Sequence, residues 1–209
     1  MDAVTGDTHL IRDEATLEAL YGTASAGAIA KEVDYLHPHY RAMIAASPFM
    51  VLATAGPEGL DTSPRGDPAG FVHVVDDKTL LIPDRRGNNR MDSLRNIVRD
   101  PRVALLFLVP GIGRTLRVNG TASITTDPAL CASFAIEGKT PRSVVVVTAK
   151  RVYTQCAKAL VRSRLWDPAS HVPESALPSS GEMLRALSAG FDAEGYDRDY
   201  PRRLRETIY

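Results

Sequence analysis

Four short segments hold the side chains best suited to chemistry. The first, Ser63-Pro64-Arg65-Gly66-Asp67, offers one arginine on a backbone shaped by Pro64 and Gly66. A planar guanidinium fork suits a phosphate. Taken alone, the segment reads more simply as a solvated hairpin turn with an ordinary arginine. The second, Asp84-Arg85-Arg86-Gly87-Asn88-Asn89-Arg90, gathers cations and side-chain amides in front of a helix. Free backbone N–H groups and the helix dipole favour an anion there. Three arginines oppose that dipole unless something negative neutralises them. Hydrated loop cations are the competing explanation, and the two readings stand level.

The third segment runs from Gly111 to Gly120 and contains Gly111-Ile112-Gly113. Leu116 stands where a dinucleotide fingerprint needs its third glycine, and a strand follows rather than a helix, so a Rossmann reading is rejected. On a strand, Thr115 and Arg117 share one face while Val118 and Gly120 share the other. Arg117 then serves a polar site, or simply faces solvent from an edge strand. In the fourth segment Lys158, Arg162 and Trp166 recur every four residues and share one helix face. Two cations and an indole suit an anionic aromatic ligand. The plainer reading is a partly exposed helix whose Trp166 fills a core edge.

Other chemistries find little support. Cys131 and Cys156 form no zinc or disulfide pattern, and Cys156 reads as a small buried apolar residue. His37 and His39 flank Pro38 in a geometry that does not converge on a metal. His73 lies on a strand and reads as structural. Neither a Gly-x-Ser-x-Gly elbow nor a phosphate-binding P-loop occurs.

The elements that must position these segments follow from periodicity and punctuation. Helices are expected at Glu14–Tyr21, from Pro38 to about Ala46, and over 89–98, with Met91, Leu94, Ile97 and Val98 on one face. Further helices are expected over 128–136 behind an Asp127 cap, 158–166, 180–189 and 201–207. Strands are expected over 49–55, 70–75, 79–82, 103–109, 116–124 and 143–153. Six strands with hairpin-length gaps point to an antiparallel barrel with flanking helices, an α+β arrangement that is mainly β. Residues 167–180 are rich in Pro and Ser and read as a linker or wrapping arm.

The chain has 209 residues, with 25 Lys plus Arg against 25 Asp plus Glu. Zero formal charge removes the electrostatic case for nucleic acid or an anionic membrane. No apolar run approaches the ~20 residues of a membrane span. The first twelve residues carry Asp2 and Asp7 and lack a signal-peptide pattern, so a cytoplasmic location is expected.

Together, in this order, the four segments resemble the pyridoxamine 5′-phosphate oxidase-like family of FMN-binding split barrels. The resemblance spans about residue 10 to the end, most strongly 49–118 and 144–166. It implies an antiparallel split β-barrel binding FMN, within a homodimer that oxidises or reduces a small molecule. The arginine on an early strand, which reaches the FMN phosphate in the family, matches Ser63-Pro64-Arg65-Gly66. The phosphate clamp between strand and helix matches Asn88-Asn89-Arg90, with Arg86 beside it, although asparagine replaces the usual hydroxyl and arginine. The strand near the flavin ring matches Thr115 to Gly120, with Thr115 in place of glutamine. Lys158, Arg162 and Trp166 match late residues that reach the flavin from the partner subunit. Arg117 or Lys158 would then stabilise the anionic reduced flavin. No catalytic residue is assigned. Vitamin B6 oxidation is not expected, because no Arg-x-His motif stands near the C-terminus. The implied layout is a helical extension at 1–47, the FMN-binding barrel at 48–166 and an arm at 167–209. The alternative is a non-catalytic protein of the same fold that binds FMN, the deazaflavin F420 or haem, and a haem would require an axial histidine such as His73.

Overall fold

Alternating burial along Phe49–Gly56 (β1) sets the architecture. Met50, Leu52 and Thr54 face inward while their neighbours are at least partly exposed. That period of two marks a strand with one face on a core. A two-residue turn, Pro57-Glu58, returns the chain as Gly59–Gly66 (β2), pairing Gly56 with Gly59 and Met50 with Arg65. The computed structural model describes residues 9–209; Asp2 and Asp7 lie outside the described residues.

The chain divides into two compact units, Met1–Glu32 and Val33–Tyr209. In the first, Glu14–Tyr21 (α1) is capped by Asp13, which accepts from Thr16 N at 2.8 Å, and Ala26–Ala30 (α2) is capped by Ser25. Neither helix buries a residue.

The second unit holds Pro38–Ala46 (α3), β1, β2, His73–Val74 (β3), Thr79–Pro83 (β4), Asp92–Arg99 (α4) and Arg102–Leu108 (β5). Thr115–Thr125 (β6), Pro128–Ser133 (α5), Val144–Gln155 (β7), Lys158–Ser163 (α6), Ser180–Leu187 (α7) and Ala193–Thr207 (α8) follow. The seven strands form one antiparallel sheet in the order β2-β1-β5-β6-β7-β4-β3. Its inner face carries Met50, Leu52, Leu105, Phe107, Leu116, Val118, Val145 and Val147, closed by Leu36 and Ile44 beside and within α3. Between Asn119 and Gly120 the β6–β7 register slips by a bulge. A Cβ on Gly120 would lie 2.0 Å from the Thr148 carbonyl oxygen, so only glycine fits.

Several boundaries differ from the sequence expectation. Strand β2 is additional; its Asp, Ser, Pro and Gly residues have poor strand propensity, but pairing with β1 holds them extended. It bonds to one neighbour only, so Pro64 is tolerated on an edge. The strand expected over 70–75 shrinks to β3. Helix α4 starts at Asp92 because Asn89 and Met91 both take φ near +60°. Met91 thus precedes the helix and is exposed; within it Val98 is also exposed, while Ile97 is buried and Leu94 packs on the core. Helix α5 stops at Ser133, short of residue 136. Helix α6 ends where Arg164 turns left-handed, φ 53°. Helix α8 begins eight residues before Pro201, because Asp192 caps it through Gly195 N at 2.9 Å. Cys156 is exposed, contrary to expectation, while Cys131 is buried. Among the described residues, no helix is long and apolar enough to cross a membrane.

Candidate functional site

The sheet order places β2 at one edge and β4 next to the opposite edge. Curvature brings their ends together through side chains. Arg65 Nη1 on β2 donates to Asp84 Oδ1 just beyond β4 at 2.6 Å. Arg85 Nε donates to Asp67 Oδ2, just beyond β2, at 2.5 Å. These two pairs span the split in the barrel. A cleft of about 1140 Å³ opens there, lined by β2, the 84–91 loop, the start of α4, residues 138–142 and Ile208-Tyr209.

Local bonds shape the loop. Asn88 Oδ1 accepts from Arg90 N at 3.0 Å, between the two left-handed positions. Positive φ outside glycine is uncommon and costs energy, so asparagine at position 89 is well chosen. Ser93 Oγ reaches Asp61 Oδ2 at 3.3 Å and ties α4 to β2. Gly138, φ 75°, turns the segment that brings Lys139 and Arg142 to the rim.

The charges around the cleft are unequal. Six cations line it, against Asp61, Asp67, Asp84 and Asp92. Arg65, Arg85 and Arg90 are each paired with an aspartate. Arg86, Lys139 and Arg142 have no ion pair among the described residues. The Nε of Arg65 is buried without a hydrogen-bond partner among the described residues. A buried donor left unmade costs about 1–3 kcal/mol, so a cleft built this way favours an acceptor-rich anion. Phe71, Pro64, Pro83, Leu94 and Ile208 supply apolar surface beside these cations. Tyr209 Oη donates to Asp67 Oδ1 at 3.0 Å. Burial, the bond to Asp67 and that carboxylate's charge raise the Tyr209 pKa above the usual phenol value.

Of the residues expected from sequence, the cleft gathers Ser63, Arg65, Gly66, Arg86, Asn89 and Arg90. It does not gather Thr115, Arg117, Lys158, Arg162 or Trp166. Thr115 is buried opposite Gln155, and Arg117 is exposed with its guanidinium 5.7 Å from the Tyr153 ring. Lys158 and Arg162 are exposed on α6. Trp166 lies beyond the left-handed Arg164, so the three-residue stripe is broken; its indole N–H donates to Ile112 O at 3.0 Å. His73 stacks on Phe134 at 4.1 Å and is absent from the cleft lining; burial lowers its pKa. Among the described residues no group of three or more His, Cys, Asp or Glu is placed to hold a metal. Sequence reasoning passed over Lys139, Arg142 and Tyr209 as ligand-facing groups. The basic run between α5 and β7 carried a signal; nothing in sequence tied Tyr209 to Asp67.

The sequence profile of the pyridoxamine 5′-phosphate oxidase family matches residues 36–156. No curated protein matches the sequence. Among solved structures, a HupZ variant of Group A Streptococcus is 19% identical, covering 57% of this chain and 99% of its own, with a TM-score of 0.47. General stress protein 26 of Bacillus anthracis is 18% identical, covering 55% and 88%, with a TM-score of 0.40. An FMN-binding protein of Syntrophomonas wolfei is 10% identical, covering 68% and 94%, with a TM-score of 0.42.

Proposed function

Because the chain belongs to the pyridoxamine 5′-phosphate oxidase family, we propose that its cleft binds FMN and that the protein is an FMN-dependent oxidoreductase for a small molecule. The observation that carries this reading is the convergence of unpaired cations and the orphan Nε of Arg65 beside apolar walls. A dianionic phosphate needs several donors, and a flat ring needs an apolar slot. The cleft offers both.

In this reading Arg65 and Arg86 hold the phosphate, assisted by Arg90 from the loop just before α4. Ser63 offers a hydroxyl, and Gly66 adds no side chain to the rim. Asn89 holds the left-handed backbone that aims the loop. Lys139 and Arg142 add positive charge from the opposite wall. Phe71 and Leu94 exclude water from one side of the cleft. FMN, when bound, supplies the hydride or electron transfer itself. The protein then contributes binding, orientation and electrostatics.

A homodimer completes the proposal. An open cleft at a barrel split gains cover from a second copy. Thr115, Arg117, Lys158, Arg162 and Trp166 lie outside this chain's own cleft lining. They act on FMN, in this reading, from the partner subunit. The second reading is a non-catalytic holder of FMN, F420 or haem. In its favour, three of the four cleft carboxylates are tied up in ion pairs, leaving little for acid–base work.

The absorption spectrum of purified protein, with mass identification of any released chromophore, tests the proposal. Flavin bands and released FMN are expected. Protein that takes up no added FMN overturns it. Bound flavin that no reductant bleaches favours the second reading.

A further inference from the structure

Tyr209 sits 142 residues from Asp67 in sequence, yet it is bonded to it in the cleft wall. Its hydroxyl donates to Asp67 Oδ1 at 3.0 Å, and its ring lies 5.5 Å from the Arg85 guanidinium. The Asp67 side chain is only 2% exposed, so its charge has almost no solvent to screen it. Its second oxygen accepts from Arg85 Nε at 2.5 Å. Arg85 Nη1 donates to the Phe134 carbonyl at 2.8 Å. Nε and Nη1 are therefore committed to the protein, and Nη2 has no bond among the described residues. One arm of the fork is left over, in a side chain that lines the cleft.

A buried carboxylate needs its lone pairs satisfied to stay ionised and fixed. Arg85 satisfies one oxygen and Tyr209 the other. Without the phenol, Asp67 Oδ1 loses its donor and the carboxylate is free to rotate. Arg85 then loses the constraint that sets its plane.

Resting on the FMN reading, we infer that Tyr209 is a positioning residue: acting through Asp67, it fixes Arg85 so that the remaining Nη2 binds the ligand's phosphate. Tyr209 thereby selects phosphorylated over unphosphorylated flavin. It acts by orienting a cation and needs no contact of its own with the phosphate.

The test compares FMN with riboflavin, which has the same ring and no phosphate. Both are titrated by flavin fluorescence into the full chain, Tyr209→Phe, Arg85→Ala and the double variant. Tyr209→Phe keeps the ring and loses only the hydroxyl. It is expected to weaken FMN about 10-fold and riboflavin less than about 2-fold, the size of one charge-assisted bond. In the Arg85→Ala background the same change is expected to add nothing, because the two act as a unit. Equal weakening of both flavins, or additive losses in the double variant, overturns the positioning role. Unchanged affinities in Tyr209→Phe, with FMN binding intact in the full chain, overturn it and leave the FMN reading standing. A full chain that binds neither flavin overturns both.

Discussion

Arg65 on β2 and Asp84 just beyond β4 meet at 2.6 Å although those two strands stand five places apart in the sheet order. The pair spans the split, and the cleft opens around it. Arg65 therefore has two roles: one nitrogen joins the barrel's ends, and another is left without a partner among the described residues.

Arg65→Ala is expected to weaken FMN by roughly 10- to 100-fold, since a hydrogen bond to a charged group is worth about 1.5–3 kcal/mol. It also leaves Asp84 without its cation, so stability is expected to fall. Arg65→Lys keeps the charge and loses the fork, and an intermediate affinity is expected. Fluorescence titration alongside a thermal melt separates the two effects.

Lys139 and Arg142 act at longer range. Neither has an ion pair among the described residues, so in the FMN reading their charge would attract the phosphate through solvent and be screened by salt. FMN affinity is expected to fall as ionic strength rises from about 0.1 to 1 M, where the Debye length shrinks from about 10 to 3 Å. The double variant Lys139→Ala/Arg142→Ala is expected to bind more weakly at low salt and to show a flatter salt dependence. Titrations across a salt series check this.

Gly120→Ala places a methyl group 2.0 Å from a backbone oxygen that cannot swing aside. Overpacking of this kind costs about 1–3 kcal/mol. A lower urea midpoint with little change in slope is expected.

Asp100 gives a pH prediction. Its hydrogen bonds from the Arg102 side chain and backbone pull its pKa from 3.8 to about 2. A carboxylate depressed in the folded state adds stability above its unfolded pKa and loses it as pH falls through the folded value. Asp100→Asn is therefore expected to be less stable than the parent above about pH 4, with the two converging near pH 2. Arg102 is largely exposed, so solvent screens the pair and the gap is expected to be small. Urea unfolding at a series of pH values measures it.

Much of the scaffold was readable because burial alternates. β1 and β5 write their inner faces in Met50, Leu52, Leu105 and Phe107. α3 was legible from Pro38 at its start and Pro48 after its end. β2 was not, because its residues are held by a neighbour rather than by their own preference. The cleft was half legible for a related reason. Arg65, Arg86 and Arg90 belong to dense local clusters, and sequence shows clusters. Tyr209 and Asp67 are 142 residues apart, and only folding pairs them. The stripe of Lys158, Arg162 and Trp166 failed at one backbone angle, at Arg164, which helical spacing does not reveal.

Pro64 has a consequence for the fate of the exposed border of the sheet. A bare strand invites a stranger's backbone to zip onto it, which is how sheets grow into fibres. With no amide hydrogen at position 64, that invitation is withdrawn beside Arg65. The border can thus stay unzipped, and the crevice next to it stays free for a small guest.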